Sequence, residues 1–297
     1  MGRIYAMDPQ SLKAFLLVAE TRSFSLAAER LHLTQPAVSK RVASLEKYLG
    51  NELFDRLGRK VSLTETGHAL LPHAEAIFQS IQDAEIAVRD LSGTVTGSLS
   101  LATSHHIGLH KLPRVLKQFA QRYPAVSLDL EFMDSERAYD LMQRGKIELA
   151  VVTLDPNIDD SFEAVTIWPD PLHLAMSPDH PLANCSNISL QTLSEHPAIL
   201  PGLNTYTGQI VKGLFDEEGL DLNVTMSTNY LETIKMMVSI GLGWSILPMG
   251  MLTPPIVSQS LGRKQLERQL GYVYHRKRSL SNAGNAFISE LLAHRQP

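Results

Sequence analysis

Gln35, Ser39, Lys40 and Arg41 stand close together in the stretch TQPAVSKRVASLEKYLG, Thr34 to Gly50. One amide, one hydroxyl and two cations within two helical turns can read base edges in a major groove and meet the flanking phosphates. Thr34 suits a helix cap, and Pro36 suits the first turn, where a missing N–H costs nothing. Ala37, Val38, Val42, Leu45, Tyr48 and Leu49 recur at three and four residues, which leaves the polar groups mainly on the other face. Gly50 stops the helix.

Two further helices must hold this one in place. Leu26, Ala27, Ala28, Leu31 and Leu33 have helical spacing, and the small alanines allow close approach of a neighbour. Upstream, Asp8 and Pro9 read as an N-cap and first turn, followed by an apolar face of Leu12, Phe15, Leu16, Val18 and Ala19, with Phe24 closing the join. The pair ending at Gly50 reads as a helix-turn-helix, and a solvated amphipathic pair is what helical pattern alone leaves open. The segment LFDRLGRKVSL, Leu53 to Leu63, reads as a short hairpin, or wing, turning at Gly58. Arg56, Arg59 and Lys60 at its bend can reach phosphates or the minor groove; an exposed charged turn is the alternative.

Charge supports the polyanion reading. Residues 1–63 carry ten basic and six acidic side chains, a net +4 in a chain whose total is −4, so the remainder carries −8. The 297 residues suffice for two or three domains with their own cores. There is no run of 18 apolar residues and no apolar stretch in residues 1–10, so a cytoplasmic protein with no membrane partner is expected. The single cysteine, Cys185, cannot form an intramolecular disulfide.

After Thr64 comes a long run in which Leu70, Ala74, Ile77, Ile81, Ala84, Val88 and Leu91 alternate at four and three residues. That is a coiled-coil seam over three heptads. So narrow a stripe points to dimerisation with the same helix of a second subunit, packing within one chain being the alternative. Pro72 near its start should bend or cap the helix. From Gly97 the period changes: strands at Ser98–Thr103, Val126–Phe132 and Ile147–Thr153 alternate with helices, and similar alternation continues from Leu172 to a last helix at Ala283–Ala293. This spacing implies a parallel sheet of right-handed βαβ units.

At this point the chain resembles the LysR-type transcriptional regulators over essentially its full length. The resemblance is carried by FSLAAERLHLTQPAVSKRVASLEKYLGNELFDR, LTETG, GSLSLAT, LPRVLKQFAQRYPAVSLDL and IGLGWSILP. It implies an α/β protein with an N-terminal winged helix-turn-helix at residues 1–63, a long coiled-coil linker helix at 64–92, and a regulatory domain at 93–297. That regulatory domain would be a two-lobed α/β effector domain resembling periplasmic binding proteins. Lobe I would span about 97–163 and 269–297, and lobe II about 164–268, joined by crossover strands near Val165 and Leu270. Implied partners are double-stranded promoter DNA, a second copy in a homodimer or homotetramer, and RNA polymerase.

Open α/β sheets bind ligands beyond the carboxyl ends of their strands. Three loops there precede helices: Thr103-Ser104-His105-His106, Pro201 to Thr207, and Ser227-Thr228-Asn229. Small hydroxyls and amides beside helix N-termini suit a carboxylate or oxyanion, although such residues are also ordinary caps. The expected effector is a small anionic metabolite touching Thr103, Ser104, His105, Thr153, Pro201, Asn204, Thr205, Thr228 and Asn229. His106 and His110 share a helical face, but the sequence fixes no accompanying cysteine or carboxylate, so no metal is assigned. The absence of a nucleophile elbow, a Walker loop and an HExxH motif leaves no catalytic residue and no cofactor to name. A solute-binding transport component and an α/β enzyme on a small anion are the competing classes. The former would need an export signal and would lack the basic N-terminal module.

Overall fold

A computed structural model of the chain describes residues 7–57, 60–91, 93–185, 187–259, 261 and 266–295. The chain divides after Leu91 into two compact units.

The first unit begins with three helices, α1 (Pro9–Thr21), α2 (Phe24–Arg30) and α3 (Gln35–Leu49). Asp8 caps α1 by accepting from the N–H groups of Gln10 and Ser11 at 3.1 and 3.2 Å, and Ser23 caps α2 through Leu26 N–H. His32, at φ 52°, makes the tight turn into α3, and Gly50, at φ 73°, ends that helix in the left-handed region. The three helices bury Leu12, Phe15, Val18, Phe24, Ala27, Val38, Val42 and Leu45 in one core, joined by Leu53 and Phe54. Strands β1 (Phe54–Leu57) and β2 (Lys60–Leu63) pair antiparallel as the expected hairpin, whose bend, with Gly58 and Arg59, lies outside the described residues.

Helix α4 (Glu65–Asp90) follows, with the Thr64 hydroxyl accepting from Gly67 N–H at 3.0 Å. A Cβ at Gly67 would lie 2.2 Å from the Leu53 carbonyl oxygen, which explains the glycine of LTETG. The helix runs continuously through Pro72 and falls within the first compact unit. Two seam positions need correction. Ala74 is fully buried in the three-helix core and Leu70 packs against it, so this first part of the seam serves the chain's own core. Further along, Ile77, Val88 and Leu91 are 42, 69 and 85% exposed, Ala84 is exposed and Ile81 half-buried.

The second unit contains, in order, β3 (Gly97–Thr103), α5 (His105–His110), α6 (Pro113–Arg122), β4 (Val126–Phe132), α7 (Ser135–Gln143), β5 (Leu149–Thr153), β6 (Phe162–Met176), α8 (Leu190–Ser194), β7 (Ala198–Leu200), α9 (Tyr206–Glu217), β8 (Val224–Ser227), α10 (Leu231–Ser239), β9 (Ser245–Pro248), β10 (Val257–Gln259), β11 (Leu266–His275) and α11 (Asn282–Ala293). Among the described residues β3, β4 and β5 are parallel, and β7 pairs parallel with β8. The parallel pairing expected from the βαβ spacing holds for these strands and is joined by antiparallel pairs. β6 and β11 pair antiparallel along their lengths, β11 also pairs antiparallel with β5, and β9 and β10 lie antiparallel on β6.

These two long strands connect two lobes. In lobe I, Leu99, Leu101, Leu149, Val151, Ile167 and Trp168 pack against α5, α6 and α11 through Ile107, Val115, Phe119, Phe287 and Leu291. The other sheet face meets α7 through Ala138, Tyr139 and Met142. Lobe II closes on Leu172, Leu174, Leu200, Phe215 and Trp244, whose indole N–H is shared by the carbonyls of Leu193 and His196 at 3.1 Å each. Ile167 and Trp168 thus belong to lobe I and Leu172 to lobe II, so the changeover on β6 falls at Pro169–Pro171 and not at Ala164. On β11 it lies between Leu266 and Leu270.

The pairing shifts register between Leu270 and Gly271, and a Cβ at Gly271 would lie 2.0 Å from the Val165 carbonyl oxygen. Gly271→Ala should therefore force the crossing strands apart and cost about 1–3 kcal/mol. A melting temperature several degrees below wild type by circular dichroism is the expected result; an unchanged one contradicts this packing.

Candidate functional site

Two sites emerge, one in each unit. α3 buries Val38, Val42 and Leu45 and leaves Gln35, Pro36 and Lys40 exposed, with Thr34 exposed at the N-cap and Ser39 and Arg41 half-buried. The Thr34 hydroxyl makes no cap bond, and Gln35 Nε2 donates to Ser39 Oγ at 2.9 Å. Arg41 Nη1 donates to Gln10 Oε1 at 3.2 Å, so a residue of the first turn of α1 aims the guanidinium. Gln10 escaped the sequence reading because this contact spans 31 positions. Arg56 lies in β1 opposite Val61, and Arg59 lies outside the described residues.

In the second unit a cavity of about 340 Å³ opens between the lobes. Six expected residues line it: Ser104, His105, Thr153, Pro201, Thr205 and Asn229. Three do not. Thr103 is fully buried and donates its hydroxyl to the Val151 carbonyl at 2.8 Å, a sheet bond. Asn204 is exposed outside the cavity wall, and Thr228 sits before α10, where its N–H donates to the Leu200 carbonyl at 3.2 Å.

The hydroxyls that do line the cavity are not equivalent. Thr205 caps α9, accepting from Gly208 N–H at 3.1 Å and donating to the Gly202 carbonyl at 2.7 Å. Ser104 precedes α5 without a side-chain cap bond, so its hydroxyl is the freer of the two.

Charged groups dominate what sequence reasoning missed. Arg268 of β11 and Asp170 of β6 are register partners at the changeover between lobes, both buried, with Arg268 Nε donating to Asp170 Oδ2 at 2.8 Å. Arg268 Nη1 donates to Thr207 Oγ1 at 3.0 Å, and Arg268 Nη2 is buried with no partner. Across the cleft, Asp134 accepts from Asn229 Nδ2 at 2.8 Å, and Glu136 accepts from Tyr206 N–H at 2.5 Å. Each of those bonds ties lobe I to lobe II. Burial pushes the Glu136 carboxyl above its ordinary range, and burial likewise pushes the Tyr139 phenol behind it up to about 12. Tyr206 and Tyr230 line the cavity immediately after Thr205 and Asn229, so adjacency to the expected loops could have found them. Nothing local marks Arg268, whose partner is 98 positions away.

A module that presents amide, hydroxyl and cationic groups on a second short helix, followed by a two-lobed domain with a polar cavity between its lobes, defines a ligand-responsive DNA-binding regulator. Residues 9–68 match the family described as bacterial regulatory helix-turn-helix protein, lysR family, and residues 92–296 match the LysR substrate binding domain. A RuBisCO operon transcriptional regulator of Allochromatium vinosum is 32% identical over 290 residues, 96% of this chain and 95% of its own. The HTH-type transcriptional activator CmpR of Synechocystis sp. is 32% identical over 292 residues, covering 95% of this chain and 94% of its own. A full-length OxyR variant from Pseudomonas aeruginosa has the same fold, with a TM-score of 0.73 at 23% identity over 97% of this chain and 95% of that one. The chain belongs to the LysR family of transcriptional regulators. It is a DNA-binding regulator whose second unit is an effector-binding domain. No helix among the described residues is long and apolar enough to cross a membrane.

Removing one member of a buried pair leaves the other charge uncompensated, at a cost of about 3–5 kcal/mol. Asp170→Asn should therefore lower the urea midpoint sharply, while the double change Asp170→Leu with Arg268→Met recovers most of the loss. Equal stability of wild type and Asp170→Asn would show that the pair does not hold the crossing together.

Proposed function

We propose that the chain is a cytoplasmic, homo-oligomeric regulator that reads promoter DNA through α3 and responds to a small organic anion bound between its lobes. Arg268 carries the anionic reading: a buried guanidinium on the cavity wall with one nitrogen unpartnered is matched by a carboxylate or oxyanion. Asp134 and Glu136 on the facing wall add acceptors, which favours an anion that also carries a hydrogen-bond donor. Ser104, His105, Thr153, Pro201, Thr205 and Asn229 are the effector contacts in this reading. No catalytic role is assigned to the cavity.

Gln35, Pro36 and Ser39 are assigned to bases, and Thr34, Lys40, Arg41, Arg56 and Arg59 to phosphates or the groove edge. The exposed apolar positions from Ile77 to Leu91 are assigned to pairing with a second copy, which sets the spacing of two half-sites. RNA polymerase is the partner through which such a regulator acts on transcription. Control of RuBisCO genes is the role printed for a relative and not for this chain, whose target genes are to be read from the DNA it selects.

Selection of genomic fragments by the purified protein, with and without small organic acids, phosphate esters and inorganic oxyanions, tests the whole reading. Arg41→Ala should weaken binding to selected and random DNA alike and reduce the slope of log affinity against log salt by about one. A change confined to one base position would contradict a phosphate role. Anions in the screen should raise the melting temperature, and calorimetry with the best of them should show Ser104→Ala several-fold weaker and Arg268→Gln at least tenfold weaker. Unaltered affinity in both variants would remove the effector from this cavity.

A further inference from the structure

His106 and His110 lie one turn apart on α5, with ring centroids 4.8 Å apart. The carboxylate that the sequence could not supply comes from the other lobe. Glu232, in the first turn of α10, brings Oε1 to 2.7 Å from His110 Nε2 and 3.7 Å from His106 Nδ1. One ligand atom from each of the three residues falls within 4.8 Å of the others.

A hydrogen bond between His110 and Glu232 accounts for only part of this cluster. His106 is 8% exposed, and its Nδ1 has no hydrogen-bond partner; neither has the buried second oxygen of Glu232. Buried polar atoms without partners are uncommon and costly. Two imidazoles and one carboxylate form a donor set for zinc(II). In a four-coordinate site with bonds of roughly 2.0–2.2 Å the donor atoms sit roughly 3.3 Å apart, so separations that now lie within 4.8 Å need to change by up to about 1.5 Å.

We propose that His106, His110 and Glu232 form a zinc(II) site that clamps lobe I to lobe II at the edge of the effector cavity. Three protein ligands leave a fourth position for water or an effector oxygen, and His106 also lines the cavity, so ion and effector act on the same closure. The site stands independently of which anion fills the cavity.

The full-length protein, stripped with a chelator and dialysed, is titrated with zinc(II) by calorimetry and with cobalt(II) by visible absorption. The expected result is a single equivalent per chain, the absorption bands of four-coordinate cobalt(II), and a melting temperature raised by the metal. His110→Ala and Glu232→Gln should each weaken binding at least tenfold. Glu232→Gln keeps the shape and a hydrogen bond to His110, so it separates ligation from packing. Cys185→Ser and His196→Gln, which alter donors elsewhere in lobe II, should leave the affinity unchanged. Absence of saturable binding, affinity unaltered in both ligand variants, or an equal loss in the two control variants would overturn the site.

Discussion

The antiparallel pairing of β6 with β11 is the constraint on which the second unit depends. These strands run from one lobe into the other, with the pairing continuing from Phe162–His275 to Leu172–Leu266. Where they pass between cores, the interior would have to be apolar or carry polar groups fully paired. The chain places Asp170 opposite Arg268 there, and the pair is buried. Desolvating two charges is expensive, so the geometry must be good: Nε meets Asp170 and Nη1 meets Thr207 at the start of α9. The remaining nitrogen leaves this crossing incompletely satisfied, beside a cavity that can receive an anion.

Legibility in the sequence followed the range of each interaction. The cap at Asp8 and the glycine end at Gly50 involve neighbours within four residues, so residue type predicts them. β5, buried at every position, announced itself as the run LAVVT. β6 did not. The sequence suggests a strand near Val165 and another from Leu172, separated by Trp168-Pro169-Asp170-Pro171, whereas pairing with β11 carries one strand through both prolines. The cavity divides in the same way. Residues on strand-to-helix loops were visible because such loops meet beyond the strand ends, while Arg268, Asp170 and Glu232 depend on contacts across about a hundred positions.

Helix α4 shows the limit of periodicity in another form. A heptad pattern says which residues share a stripe and nothing about what covers it. The first two seam positions sink into the core of the three-helix module, where Ala74 is small enough for close approach. Past Ile77 the same stripe is exposed over large apolar side chains. One sequence repeat thus serves the core of its own domain first and is left uncovered by it further along.

The contacts across the cleft are few, and each is modest. Asn229 to Asp134, Tyr206 N–H to Glu136 and His110 to Glu232 tie loops and helix starts of one lobe to those of the other. A partly exposed hydrogen bond contributes about 0.5–1.5 kcal/mol, so the closed arrangement is favoured by only a few kcal/mol from these bonds. Driving a two-state equilibrium from 1:99 to 99:1 takes roughly 5.5 kcal/mol of differential affinity. A charge-assisted bond to Arg268 contributes about 1.5–3 kcal/mol, so several polar contacts made only when the lobes are closed reach that scale together. A ligand held equally well by either lobe alone would shift nothing, however tight. A ligand that favours closure must therefore contact both walls at once, and this cavity is lined by polar groups of β11 and α9 from one side of the cleft and of α7 from the other.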